Sequence, residues 1–212
     1  MRQLHRPLRL LAISLAGLAG FVDAIGFMIA GGFFVSFMSG NSTRFAVGIS
    51  DRLPDALIAG GLICAFVIGV AGGAMLTMSA GRHGRTLLLS AVAIVLALAA
   101  LFAPHDRAVA VALLAIAMGA ENAAFTRDGT VRIGLTYMTG ALTRAGHAIA
   151  AALLRRPGGD WLPDILLWAG LVAGAIVGAA SYRLLGNTAL WIAALVALLA
   201  AAASWRIGPD ER

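Results

Sequence analysis

Long apolar stretches separated by short polar links run along the whole chain of 212 residues. Each stretch is long enough to cross a bilayer, since a spanning helix needs about 20 mostly apolar residues. The alternation of apolar and polar positions typical of an outer-membrane barrel is absent. The stretches are residues 10–30, 56–79, 86–103, 108–125, 165–185 and 188–205. This pattern predicts an all-α integral membrane protein with about six transmembrane helices.

Two similar segments of ten residues, 35–44 (the first motif) and 135–144 (the second motif), indicate an internal duplication. They read VSFMSGNSTR and LTYMTGALTR, with Met, Gly, Thr and Arg at the same positions. Two further pairs align: Asp23 with Asn122, and the Leu-Pro-Asp sequences that begin at Leu53 and Leu162. The repeat predicts two halves, residues 1–107 and 108–212, in one compact membrane domain. Each half would have three spans and one broken or re-entrant helix.

The arginines predict how the chain is oriented. All 16 Lys or Arg residues are Arg, and six spans with a cytoplasmic N-terminus place 12 of the 16 inside. Eight spans, with both motifs crossing the membrane, fit this positive-inside bias less well. Three spans per half is an odd number, so the second half would be inverted relative to the first. We expect a multi-pass protein of the bacterial inner membrane with both termini in the cytoplasm.

The composition excludes several classes of function. The chain is 60% hydrophobic and 12% charged, which is too little charge for the surface of a soluble domain. The positive-inside bias explains the net charge of +6, so we expect the lipid bilayer and not nucleic acid as the partner. No catalytic or metal-binding motif stands out. We therefore expect no enzyme activity, no cofactor and no metal.

The two motifs are the candidate binding site. Ser39 or Asn41, and Thr139 in the second motif, could cap helices that begin at the motif glycines. A helix N-terminus beside Arg44 or Arg144 would attract an anion. The alternative is that an acid such as Asp23 pairs with the arginine and only staples two helices. The candidate substrate-binding residues are Asp23, Ser39, Gly40, Asn41, Thr43, Arg44, Asn122, Thr139, Gly140, Thr143 and Arg144.

Asp23 lies well inside an apolar stretch, where a carboxylate is costly and usually faces the bundle interior. Proton coupling or substrate contact is one interpretation, and a structural ion pair is the other. Asn122 at the matching position indicates hydrogen bonding in both halves but charge in only one. We expect the neighbouring Glu121 to be solvated near the cytoplasmic interface.

Small residues recur every four positions in the second and fifth stretches, which permits close approach of helices. We expect these two stretches to cross each other near the pseudo-two-fold axis, or to form a homodimer face. The candidate packing residues are Gly61, Gly69, Gly73, Gly170, Gly174 and Gly178.

The residues 21–27 and 34–44 resemble the first-half signature of the YoaK family, and 122–124 and 137–144 resemble its second-half signature. The resemblance covers nearly the whole chain. It implies a small bacterial inner-membrane protein of about six spans, and it brings no established substrate.

Two hypotheses of function follow. The first is a secondary transporter or channel for a small anionic or zwitterionic solute, with Asp23, Asn122 and both motifs around a shared centre. The second is a non-transporting membrane scaffold or accessory subunit, in which the charged groups only lock the bundle.

Overall fold

The computed structural model describes residues 5–127, 130–131, 138–156 and 161–208. These ranges are helical apart from turns and one short antiparallel pair, Thr126–Arg127 with Thr130–Val131. The helices are α1 (Arg6–Ile29), α2 (Met38–Asp51), α3 (Leu53–Ser79), α4 (Gly84–Phe102), α5 (Arg107–Glu121), α6 (Met138–Leu153), α7 (Leu162–Leu185) and α8 (Ala189–Ile207). Short 3₁₀ turns lie at Gly81–His83, Asn122–Phe125 and Gly186–Thr188. The prediction of an all-α chain is confirmed.

Five segments of the described chain are long and apolar enough to cross a membrane, and the fifth, Leu162–Ile207, contains both α7 and α8. The six predicted stretches therefore coincide with α1, α3, α4, α5, α7 and α8. The two motif helices, α2 and α6, have 14 and 16 residues and are not among these segments.

Large apolar side chains cover the outer faces of the long helices. Ile68 on α3 is 64% exposed, Ile94 on α4 is 62% exposed, and Ile176 on α7 is 65% exposed. An apolar surface of this extent is unfavourable in water and is typical of helices that face lipid.

Local sequence sets several helix starts. Pro54 in α3 and Pro163 in α7 occupy the first turn, where a missing N–H costs nothing. Asp55 and Asp164 follow these prolines in the first turn, where a carboxylate interacts favourably with the positive end of the helix dipole. Asp106 caps α5 by accepting hydrogen bonds from two backbone N–H groups.

Glycines mark the crossing of α1 and α7. Gly170 lies against Ile13 and Gly178 lies against Phe21, so the residue numbers rise together and the two helices run parallel. Between these contacts, a Cβ atom on Gly174 would overlap the backbone of Gly17. Only glycine permits such an approach.

The crossing of α3 and α5 has the same character. Gly69 lies against Ile116 and Gly73 against Ala120, again with residue numbers that rise together. Within the described ranges, α3 packs mainly on α5 and α7 mainly on α1. The expectation that the second and fifth stretches cross each other was wrong, because each glycine face meets the first helix of the other half. Gly61 has open space around it and is not a packing residue here.

The helices α4 and α8 complete the core and run antiparallel. Arg85 at the start of α4 donates a hydrogen bond to Ser204 near the end of α8 (3.0 Å). Buried residues along the two helices, such as Leu89, Leu96 and Leu190, join the hydrophobic core formed with α1, α3 and α5.

Candidate functional site

Asp23 ties α1 to the segment that leads into α2. One carboxylate oxygen accepts hydrogen bonds from the backbone N–H groups of Val35 and Ser36, both at 2.8 Å. The chain reverses before this point through Gly31 and Gly32, whose φ angles of 67° and 100° are readily adopted by glycine. The carboxylate thus satisfies backbone donors just ahead of the first turn of α2.

Asn41 holds the same segment from the other side. Its side-chain oxygen accepts a hydrogen bond from the backbone N–H of Phe34 (3.0 Å), and its amide group donates to the Phe34 carbonyl (2.6 Å). Asn41 is fully buried. Together, Asp23 and Asn41 fix the break between the first long helix and the motif helix.

The predicted capping by Ser39 or Asn41 was wrong, because α2 already begins at Met38 and no side chain caps it. Ser39 is exposed in the first turn, and its carbonyl accepts a hydrogen bond from Thr43 (3.3 Å). A Cβ atom on Gly40 would lie 2.6 Å from the Phe37 ring, so glycine is required for ring packing and not for an irregular backbone.

Arg44 does not pair with Asp23. Its guanidinium group lies 4.8 Å from the centre of the Phe33 ring, a cation–π geometry. In the described part of the chain, no carboxylate forms a salt bridge with it, so the proposed staple to Asp23 is absent. A cavity of about 270 Å³ adjoins Arg44, and its lining residues are Thr43, Arg44, Val47, Gly48, Asp51, Arg52 and Asp55.

The second motif is arranged differently. Arg144 donates two hydrogen bonds to one carboxylate oxygen of Asp164, at 3.1 and 2.7 Å. Thr143 donates to the carbonyl of Thr139 (2.9 Å), and Gly140 faces the guanidinium group. As in the first half, the helix begins at a motif methionine, so Thr139 is not a cap. Residues 135–137 lie outside the described ranges.

In the part of the chain that the structure describes, the two motif helices do not pack on each other. In the described ranges, α2 packs on α3 and α6 packs on α7, each against the helix that follows it. The expected shared centre with Arg44 and Arg144 facing each other is therefore not formed. Each motif instead lies beside its own half of the bundle.

Glu121 and Asn122 end α5 inside the bundle. Asn122 is 8% exposed and donates a hydrogen bond to the Met118 carbonyl (2.9 Å). Glu121 is 1% exposed, and its carboxyl oxygens have no hydrogen-bond partner in the described ranges. The prediction of a solvated Glu121 was wrong. The repeat carried a signal for its burial, since the alignment of Asn122 with Asp23 places Glu121 opposite Val22, an apolar position.

Within the described ranges, no three His, Cys, Asp or Glu side chains are close enough to hold a metal ion. Two other cavities, each about 260 Å³, lie beside the ends of the long helices. One is lined by residues that include Arg6 and Arg9, and the other by residues that include Arg82 and Arg85. Neither is lined by a motif residue.

Comparison with known proteins identifies the family of the chain. The family model described as "Protein of unknown function (DUF1275)" matches residues 11–203. The chain belongs to the DUF1275 family. A similar relative is the UPF0700 transmembrane protein RA0705 of Rhizobium meliloti (strain 1021), 40% identical over 198 residues, which cover 93% of this chain and 86% of the relative. No solved structure matches the chain. The resemblance noted in the sequence is confirmed, and this DUF1275 protein is a membrane protein.

Proposed function

We propose that this DUF1275 protein is a secondary transporter or channel for a small anionic or zwitterionic solute, without catalytic chemistry. The supporting observation is that buried or partly buried polar side chains lie at a helix break in each half of an otherwise apolar bundle. Asp23 and Asn41 hold the break after α1, and Glu121 and Asn122 lie at the end of α5. Transporters commonly place their solute and ion sites at such breaks in two repeats.

The proposal includes an inverted arrangement of two three-span halves. The parallel crossings of α1 with α7 and α3 with α5, and the antiparallel packing of α4 with α8, support it. Short turns join α3 to α4 and α7 to α8. Taken together, α1, α4 and α7 run one way and α3, α5 and α8 run the other. Every long helix of the first half thus runs against its counterpart in the second half.

The charges support an inner-membrane orientation with cytoplasmic termini. Arg6 and Arg9 begin α1, Arg82 and Arg85 lie at the turn into α4, and Arg206 lies at the end of α8. The helix directions put all these positions at one end of the bundle. Positive charge concentrated at one end marks the cytoplasmic side.

The cavity beside Arg44 supports the choice of solute class. Its walls carry two arginines and two aspartates, and within the described ranges Arg44 has no salt bridge to neutralise it. A small solute with a carboxylate could pair with Arg44, and an ammonium group on the same solute could pair with an aspartate. The proposed solute site is therefore this cavity between α2 and α3.

Uptake into proteoliposomes tests transport. We expect uptake of at least one of radiolabelled glycine, glutamate and lactate above that of empty liposomes, and its loss in Arg44→Gln. Arg107→Gln is the matched control, because it removes an exposed arginine outside the cavity. Absence of uptake of every probe by folded protein would contradict the transport proposal.

Cysteine labelling tests the inverted arrangement. Arg52 lies between α2 and α3, and Arg156 lies between α6 and α7. Single cysteines at these positions, in a Cys64→Ser background, should react from opposite sides of the membrane. Labelling from the same side would rule out inverted halves.

A scaffold without transport is the second candidate. The hydrogen bonds of Asp23 to Val35 and Ser36, and the pairing of Arg144 with Asp164, favour it, because they use polar groups to lock neighbouring segments. Uptake that depends on Arg44 would exclude this role.

A further inference from the structure

The carboxyl group of Glu121 lies inside the bundle and has no partner among the described residues. The residue is 1% exposed, and neither carboxyl oxygen makes a hydrogen bond. In the part of the chain that the structure describes, every other fully buried side-chain oxygen or nitrogen has a partner. Nearly all buried polar groups in folded proteins are hydrogen-bonded, so this exception calls for an explanation.

The end of α5 is closely packed against apolar groups. Gly73 of α3 approaches the backbone of Ala120, the residue before Glu121, and the side chain of Leu88 on α4. The contacts are so short that a Cβ atom on Gly73 would lie 2.9 Å from the Ala120 carbonyl oxygen. The helices α3, α4 and α5 are thus tightly packed one residue before Glu121, whose side chain is itself shielded from solvent.

Within the described ranges, no charged group compensates Glu121. The helix α5 packs on α1, α3 and α4. The Asp23 carboxylate on α1 is bound to the backbone before α2, and Arg85 on α4 donates to Ser204. The titratable side chains of the four helices, apart from Glu121, are Arg6, Arg9, Asp23, Asp55, Cys64, Arg85 and Arg107. None of them makes a hydrogen bond to either Glu121 oxygen.

Desolvation decides the protonation state. An ionised carboxylate without a partner in a dry interior is far more costly than a neutral carboxyl group. The packed arrangement is therefore compatible with Glu121 only when the carboxyl group carries its proton.

Packing does not require an acid at this position. The alignment of Asn122 with Asp23 places Glu121 opposite Val22 of the first half, which is fully buried. An apolar side chain thus satisfies the corresponding site. The glutamate adds a group that binds a proton where the other half has none.

We infer that Glu121 is a proton-binding site that exchanges with water only when α5 separates from α3 and α4. On separation the O–H bond breaks, the proton passes to water, and a carboxylate remains. The helices can pack again only after this carboxylate takes up a proton. Coupling of this cycle to solute movement rests on the proposed transport function, whereas proton binding itself does not.

Infrared spectroscopy of the purified full-length protein tests proton binding. At neutral pH we expect the C=O stretching band of a protonated carboxyl group. Glu121→Gln should remove this band. The control variant Asp164→Asn, which removes an exposed ion pair, should retain it. Glu121→Val copies the residue of the first half and provides a second variant if the glutamine variant does not fold. A protonated-carboxyl band that is unchanged in a folded Glu121 variant would overturn the inference.

Proteoliposomes separate this inference from the transport proposal. With glycine, glutamate and lactate as probes, a proton gradient directed into the liposomes should accelerate wild-type uptake about tenfold, a typical coupling between two sites. Glu121→Gln should abolish the acceleration. If the infrared band depends on Glu121 but no probe is taken up, the proton-binding site stands and the transport proposal is contradicted. Uptake whose response to pH is the same in Glu121→Gln keeps transport and overturns the role of Glu121.

Discussion

In both glycine crossings, α1 with α7 and α3 with α5, a glycine packs against the backbone of the other helix. The two crossings differ in register, that is, in how far along the helix the contact lies. Gly174 meets Gly17, and Gly69 meets Ile116, the counterpart of Gly17 in the alignment of Asp23 with Asn122. Gly174 lies 12 residues after the start of α7 at Leu162, whereas Gly69 lies 16 residues after the start of α3 at Leu53. The first half therefore reaches its crossing about one helical turn later.

This difference of one turn shows that the position of each crossing along the helix depends on where the small residues lie. It does not depend on the distance from the Leu-Pro-Asp sequence at the helix start. The alignment of the helix starts pairs Gly61 with Gly170, and the crossing pairs Gly69 with Gly174. Gly61 then has no partner helix and lies in open space, whereas Gly170 lies against Ile13. Two helix backbones can approach closely only where a glycine, which has no side chain, lies between them. The helices therefore pack with their small-residue faces in contact.

The motif arginines Arg44 and Arg144 differ in whether they form a salt bridge among the described residues, and the residue just before the following helix also differs. In the second half, Arg144 reaches Asp164. In the first half, the corresponding Asp55 lies 3.8 Å from Arg52, and the position equivalent to Arg52 in the second half is Trp161. An arginine at this position is thus present only in the first half, and Arg44 packs over an aromatic ring instead.

The largest expected effect is at the crossings. Gly174→Leu should lower the free energy of unfolding by more than about 3 kcal/mol or prevent folding, because the side chain overlaps backbone that cannot rotate away. Gly61→Leu, in open space, should change it by less than about 0.5 kcal/mol. Thermal unfolding in detergent measures both. Equal stability of the two variants would show that the crossing is not tight.

A smaller effect is expected at the first helix break. Asp23→Ala should cost roughly 1.5–3 kcal/mol, since two backbone N–H groups lose a charged acceptor. Thr43→Ala, which removes an exposed hydrogen bond within α2, is the control and should cost less than about 0.5 kcal/mol.

The same variant tests the staple between Asp23 and Arg44. Because the two side chains are not paired, the effects of Asp23→Ala and Arg44→Gln should add within about 0.5 kcal/mol. Stability that recovers in the double variant would show that the pair forms in solution.

The smallest effect concerns the two motif arginines. A double-mutant cycle of Arg144→Gln with Asp164→Asn should give a coupling of about 0.2–1 kcal/mol that weakens with salt, because Arg144 is largely exposed. The equivalent cycle of Arg44 with Asp55 should give a coupling near zero. A larger coupling for Arg44 than for Arg144 would show that the arginine paired in solution is the one of the first motif.

The sequence by itself determined the helices and indicated a duplication. Apolar length, the Leu-Pro-Asp starts and the paired motifs are local properties, because each depends on residues that are neighbours in the chain. The membrane class and the family follow from the same features. Even the burial of Glu121 was accessible in principle, through its alignment with Val22.

Only the tertiary structure decided which surfaces meet. A row of small residues identifies a face that can approach another helix, but it carries no information about the partner, so α3 joined α5 and not α7. For the same reason, Asp23 pairs with backbone groups before α2 and not with Arg44. The sequence specifies which side chains carry charge or can form hydrogen bonds. The distances between these side chains depend on how the helices pack at their glycine faces.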